Sequence, residues 1–260
     1  MSRLVQIVAD YGPGDLAHAE LIQRLELAAP DCIVHLTPVA TGDTLAAGFC
    51  VARLALGEGP PDRIVAHDVG APEDAGDRLW AGRSRSGVWI VGPDSGYSWS
   101  FAVDALIALR RLDVTAGGSP LRPREGLPVA VGHMHRRHPH AICDEVPRAG
   151  VPRLPERVVA YVDAAGDITT TIGELPGALG SRVQVRIGEV SATATLARLG
   201  GPVPEGELVF AAGEPACPFA AISLGGGSAA EHFAQPRPGT SIRLRPGSAR
   251  PASARRGRKL

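Results

Sequence analysis

The chain has 260 residues, with 27 Lys and Arg against 27 Asp and Glu, so its formal charge is zero. Hydrophobic residues make up 44% and aromatics only 4%, beside 32 Gly and 23 Pro. That is aliphatic enough to bury a core and too aliphatic for a disordered protein, while Gly and Pro recur too often for a coiled coil.

Residues 4–9 are an apolar run ending at Asp10-Tyr11-Gly12, a strand followed by a turn. Residues 16–28 have helical spacing (Leu16, Ala19, Leu21, Ile22, Leu25) and stop near Pro30. A short strand is predicted at 32–36, a helix at 44–56 stopped by Gly57, strands at 63–67 and 88–91, and a helix at 101–112. Strands alternating with helices predict βαβ units and a mostly parallel sheet, which takes ligands beyond the carboxyl ends of its strands. The second half differs. Short runs at 158–162, 168–172, 183–187, 192–197 and 208–210 are separated by Gly, Pro and Asp, the pattern of a small antiparallel β-barrel or sandwich. Between the halves, residues 146–155 (VPRAGVPRLP) have the composition of a linker. The expectation is an α/β N-terminal domain with a mostly parallel sheet over 1–148 and a small antiparallel β-barrel domain over 156–245. A basic tail over 246–260 is expected to be disordered.

That tail holds Arg250, Arg255, Arg256, Arg258 and Lys259 and no acid, which leaves the rest of the chain at 22 basic against 27 acidic residues. A Pro/Ser/Ala/Arg segment cannot bury apolar area, and nothing in the body supports nucleic-acid binding, so the tail reads as solvated. No uninterrupted apolar run reaches about 18 residues, so no membrane span is expected. The first strand starts without the zones of a signal peptide. Cys32, Cys50, Cys143 and Cys217 form no CxxC pair, which argues against a zinc ribbon or a disulfide framework and for reduced thiols in a cytoplasmic protein.

Several constellations carry chemistry. Asp10 stands at the end of the first strand, where an acid can accept hydrogen bonds from a ribose diol or bind its own turn. Asp68, in HDVGAPED, ends another strand and shares that crevice position. It is a candidate to contact a ligand or a water, or else a loop cap. Neighbouring His67 points to the opposite face, because strand side chains alternate. Pro93-Asp94-Ser95-Gly96 is a turn that ends a further strand. His133, His135, His138 and His140 are donors that can hold a metal if the backbone folds round it. No helical spacing puts two on one face, and Arg136-Arg137 would repel a cation, so no metal is expected. The Gly225-Gly226-Gly227 run lacks the Lys-Ser/Thr of a P-loop, and neither a dinucleotide fingerprint nor a G-x-S-x-G elbow is present.

Taken together, Ala9-Asp10-Tyr11-Gly12 (T-D-F-G in the family), His35-Leu36-Thr37-Pro38 (H-x-x-P), His67-Asp68-Val69-Gly70-Ala71 (V-D-P-G-V-G), Pro93-Asp94-Ser95-Gly96 (P-D-N-G), Val162 to Ile172 (I-D-x-F-G-N-x-x-T-N-I) and Gly227-Ser228-Ala229-Ala230-Glu231 (G-S-A-A-E) form an ordered set from about residue 5 to residue 245. This set resembles the S-adenosylmethionine hydroxide adenosyltransferases and their relatives, fluorinase and chlorinase. The resemblance implies substitution at C5′ of S-adenosylmethionine, whose sulfonium departs as neutral methionine, so no metal, acid or cofactor is needed. It implies a homotrimer with the ligand between domains of neighbouring subunits. It implies that Asp68 and Arg78 position water, with Arg122 standing where the family has its catalytic histidine, and that Asp10 meets the ribose diol. Tyr11, Asp94, Ser95, Asp163 and Asp167 would line the substrate, and the backbone at Ser228-Ala229 would meet adenine. A carboxylate at 68 would repel a halide, so hydrolysis to adenosine and methionine fits better than halogenation. The chain departs from the family at Ala75 (arginine), Arg122 (histidine), Asp167 (asparagine) and Ala211 (serine). An arginine cannot act as a base at neutral pH. The alternatives are a transferase using another nucleophile or nucleoside, and a nucleoside-binding protein without turnover.

Overall fold

The structure, a computed structural model, describes residues 2–70, 78–116, 119–120, 123–136, 142–214 and 217–246. The chain divides into two units, Met1–Leu154 and Pro155–Leu260, a division that falls inside the Pro- and Arg-rich stretch 146–155.

The first unit begins with β1 (Arg3–Ala9), α1 (Leu16–Ala28), β2 (Cys32–Pro38), α2 (Thr44–Leu56) and β3 (Ile64–Asp68). Both helices start on an aspartate. Asp15 accepts a hydrogen bond from the Ala17 N–H, and Asp43 from the Ala46 N–H, each satisfying an orphan donor of the first turn. There follow β4 (Leu79–Ser84), β5 (Trp89–Pro93), β6 (Leu106–Leu112), the two-residue β7 (Thr115–Ala116) and β8 (Ser119–Pro120), α3 (Pro123–Arg136) and β9 (Ile142–Glu145). Seven strands form one sheet in the order β2-β1-β3-β5-β4-β6-β9. The pairs β2–β1, β1–β3 and β3–β5 are parallel, and β5–β4, β4–β6 and β6–β9 are antiparallel. The sheet is therefore mixed, half parallel and half antiparallel, which corrects the expectation of a mostly parallel α/β domain.

The physical source of that error is residues 101–112, predicted as a helix. They form a short 3-10 turn at Val103–Ala105 and then strand β6. Leu106, Leu109 and Leu112, the buried residues of β6, sit three apart, a spacing that a helix face would also show. Pairing decides the matter. Gly82 of β4 leaves the space that Leu106 and Trp99 fill, since a Cβ at 82 would lie 2.7 Å from Leu106 and 3.0 Å from Trp99.

Two helices cover one face of the parallel half. Val5, Ile7 and Ala9 of β1 and Ile64 and Ala66 of β3 pack with Leu21 and Leu25 of α1 and Leu127, Ala130 and Val131 of α3. Helix α2, whose residues lie outside that cluster, packs on β1, β3 and β5 from the other face.

The second unit has β10 (Val159–Val162), β11 (Ile168–Thr170), β12 (Arg182–Ile187), β13 (Val190–Arg198), β14 (Leu208–Ala212), β15 (Ala221–Leu224), the short α4 (Ala229–His232) and β16 (Ile242–Pro246). Its sheet also has seven strands, ordered β10-β11-β15-β14-β13-β12-β16, and it is mixed, because β13 and β14 run parallel. A small antiparallel barrel is thus corrected to a curled, half-barrel mixed sheet as large in strand number as the first. The curl brings its edges together at the bridge of Val158 to Ser241, beside which the Ile242 N–H donates to Arg157 O at 2.7 Å. Phe210, Ile222, Ile168 and Leu196 fill its core. The tail beyond Pro246 lies outside the described residues. Among those described, no helix is long and apolar enough to cross a membrane.

Candidate functional site

The connections of the first sheet diverge between β1 and β3. β1 leads through α1 to β2 on one side, while β3 leads on to strands on the other. Open sheets take ligands at the carboxyl end of such a switch point. Asp10 and Tyr11 directly follow β1, and Asp68 is the last residue of β3. Ala9 and Asp68 are register partners, and adjacent strands lie about 4.8 Å apart. The two acids foreseen as converging therefore stand on neighbouring strand ends.

They leave the sheet on different faces. Asp68 continues the row of Ile64 and Ala66 towards α1 and α3. It is 8% exposed, and its Oδ2 accepts a hydrogen bond from the Tyr11 hydroxyl at 2.7 Å. Asp10 alternates towards α2, where its Oδ2 accepts from the Gly42 N–H at 3.1 Å. It thus ties β1 to the loop before α2 rather than to its own turn.

Two more carboxylates belong to this edge. Asp43, which sequence reasoning passed over, caps α2. Burial raises its carboxyl above the ordinary range, and the N–H groups of Ala46 and Leu45 offset part of that rise. An aspartate directly before a helical run was the available signal. Asp94 follows β5. Burial raises its carboxyl too, and the charge of Arg78 pulls it down. The Asp94 N–H also donates to the Arg78 carbonyl at 3.1 Å. Arg78, predicted to work beside Asp68, thus also acts on Asp94. In the same turn, the Ser95 hydroxyl is buried and finds no partner among the described residues. The turn is pinned to α2 by the Tyr97 N–H, which donates to Thr44 Oγ1 at 3.1 Å.

His67 faces away from Asp68, as strand alternation requires. It is fully buried, edge-on to Trp99 at 5.3 Å, with neither ring nitrogen hydrogen-bonded among the described residues. Burial pushes its pKa down to about 3, so the ring is neutral. It rests on Gly92, where a Cβ would lie 2.3 Å from the ring.

In the second unit, the predicted residues form a cluster of their own. Asp163 Oδ1 accepts from the Ala165 and Asp167 N–H groups, each at 2.9 Å, closing a turn. Gly166 in that turn abuts Ser228, and its carbonyl accepts from the Ala230 N–H at 2.9 Å. Ser228 caps α4 by accepting from the Glu231 N–H at 3.0 Å. Ala229 is wholly buried, backbone included.

Arg122, Ala75, His138 and His140 lie outside the described residues. His133 and His135 fall on α3 two positions apart, about 200° round the helix, so they face different ways. His135 Nδ1 lies 3.3 Å from Cys32 Sγ. Among the described residues, no group of three His, Cys, Asp or Glu side chains is placed to hold a metal. Sequence reasoning also missed the Tyr11–Asp68 bond, which joins residues 57 apart and leaves no local pattern.

No family model matches the chain, and no curated protein matches it. Solved structures do. An uncharacterized conserved protein from Thermotoga maritima superposes with a TM-score of 0.73 at 19% identity, over 92% of this chain and 99% of that one. A conserved hypothetical protein from Thermus thermophilus does so with a TM-score of 0.65 at 22% identity, over 93% and 99%. The likeness is one of fold. It extends over nearly the whole length of each chain.

Proposed function

We propose that the carboxyl edge of β1 and β3 binds the adenosyl group of S-adenosylmethionine and that the protein hydrolyses it to adenosine and methionine. The observation that carries this reading is that Asp10, directly after β1, and Asp68, the last residue of β3, stand on neighbouring strand ends at the switch point, their side chains on opposite faces of the sheet. Asp43 and Asp94 add two further carboxylates to the same edge. Such an edge repels phosphates and halides and attracts a cation. A sulfonium nucleoside meets both conditions, with a ribose diol to donate to Asp10 and a positive charge to be held among the acids.

In the proposed reaction Asp68 accepts a hydrogen bond from a water and turns its lone pair towards C5′. The water oxygen bonds to C5′, the C5′–S bond breaks with its electron pair passing to sulfur, and methionine departs neutral. The surplus proton passes to Asp68 and then to solvent. Because the leaving group is already cationic, alignment of water and removal of competing water supply most of the rate. The same reading carries a homotrimer in the cytoplasm that needs no cofactor and binds no nucleic acid.

Incubation with S-adenosylmethionine, followed by mass spectrometry, tests it: adenosine and methionine rise together in equal amounts. Adenosine that stays at the buffer control overturns hydrolysis. A second reading, nucleoside binding without turnover, is favoured by Ala211. It puts a buried methyl in β14 where the family resembled has a serine. Calorimetric heat on adding adenosine, with no product from S-adenosylmethionine, identifies that case.

A further inference from the structure

The phenol of Tyr11 is held from two sides. Its ring is buried in the cluster that joins β1, β3, α1 and α3, with Leu21, Leu127 and Val131 among the members. Its hydroxyl reaches across to β3 and donates to Asp68 Oδ2 at 2.7 Å. A tyrosine ring fixed by packing has little freedom left to choose a partner, and a buried hydroxyl needs one. A hydrogen bond to a carboxylate is among the stronger kinds. It holds one oxygen of Asp68 and so restricts the rotation of the carboxylate, a group that can accept more than one hydrogen bond. The motif that this strand end resembles has phenylalanine at this position, so the hydroxyl is a feature of this chain. It coincides with the departures at 75 and 122, where the arginine and histidine of that motif set are absent.

We infer that Tyr11 is a positioning residue, whose buried phenol holds the Asp68 carboxylate in the orientation that directs a water at the reacting carbon. It acts through Asp68 and does not itself touch the water. The inference rests on the hydrolase reading above and deepens it.

Tyr11→Phe keeps the ring and its packing and removes only the oxygen. Saturating turnover, kcat, is expected to fall about 10-fold, the share of one such hydrogen bond, while KM and the calorimetric affinity for adenosine stay as in the natural protein. In a double-mutant cycle with Asp68→Asn, the two losses should be strongly non-additive, since both remove one arrangement. If the natural protein turns over and Tyr11→Phe matches its kcat, or the two losses are additive, the inference is overturned and the hydrolase reading stands. If the natural protein forms no adenosine, the hydrolase reading falls first and the inference with it.

Discussion

The two ends of the parallel strands treat charge in opposite ways. At the amino ends, cations are held mainly by the protein's own backbone, with Arg3 also 3.6 Å from the Asp62 carboxylate. Arg63, just before β3 and 4% exposed, donates to the carbonyls of Leu54, Ala55, Gly57 and Pro60 at 2.6–3.1 Å. Arg3 donates to the carbonyls of Met134 and His135 at 3.1 and 2.9 Å. At the carboxyl ends stand Asp10, Asp43, Asp68 and Asp94. Helix α2 links the two patterns, because it runs against the strands. Its amino end, capped by Asp43, comes to the carboxyl edge, and its carboxyl end, with orphan carbonyls, comes to Arg63. Each charge complements the helix dipole. A cation ringed by carbonyls has its donors occupied and serves the fold. A carboxylate has several acceptor sites and can meet a ligand's donors as well as the protein's own.

That contrast can be broken from either end. The largest effect is expected at the carboxyl edge. Asp68→Asn keeps the shape and removes the charge, and adenosine production should fall about 100-fold or more, the usual weight of a group that handles the proton. Its urea midpoint should move little. An unchanged rate would remove Asp68 from the chemistry. Next comes the amino edge. Arg63→Met keeps the stem and deserts the four carbonyls, and equilibrium urea unfolding should show a loss of about 3 kcal/mol, with ligand affinity retained by the folded fraction. Unchanged stability would mean that solvent or neighbours satisfy those carbonyls equally well.

The smallest expected effect belongs to His67, which lies beyond both patterns. Its folded pKa is depressed to about 3 by burial, against an ordinary 6.5. Below about pH 6.5 the unfolded chain takes up a proton that the folded chain refuses until about pH 3. Stability from this residue is therefore complete above pH 6.5 and is lost progressively as the pH falls through that window. His67→Leu, which fills the place above Gly92 without orphan nitrogens, should flatten the acid side of the thermal-midpoint profile and leave the neutral side nearly unchanged. A profile as steep as that of the natural protein would assign the acid sensitivity to other groups.

Local signals reached the elements whose causes are local. Helices α1 and α2 occur over the predicted residues, because Asp15 and Asp43 start them and Pro30 and Gly57 lie at their ends. The parallel strands β1, β2, β3 and β5 were legible as apolar runs. Strand β4 was not, since Leu79–Ser84 mixes Gly and Arg into six residues. It is a strand because β5 and β6 flank it. The candidate site was legible as separate acids at strand ends. The influence of Arg78 on Asp94, the cap role of Ser228 and the turn made by Asp163 each depend on partners distant in sequence or on backbone geometry.

The sequence by itself determined where turns, caps and apolar runs fall, because those depend on residues within about one helical turn or one strand of each other. Only the tertiary structure decided that β4 inserts antiparallel between β5 and β6, that β13 pairs parallel with β14, and that a tyrosine after β1 meets an aspartate at the end of β3. Strand order and side-chain partners are settled by which surfaces bury each other best, and that competition among segments far apart in the chain is written in no single one of them.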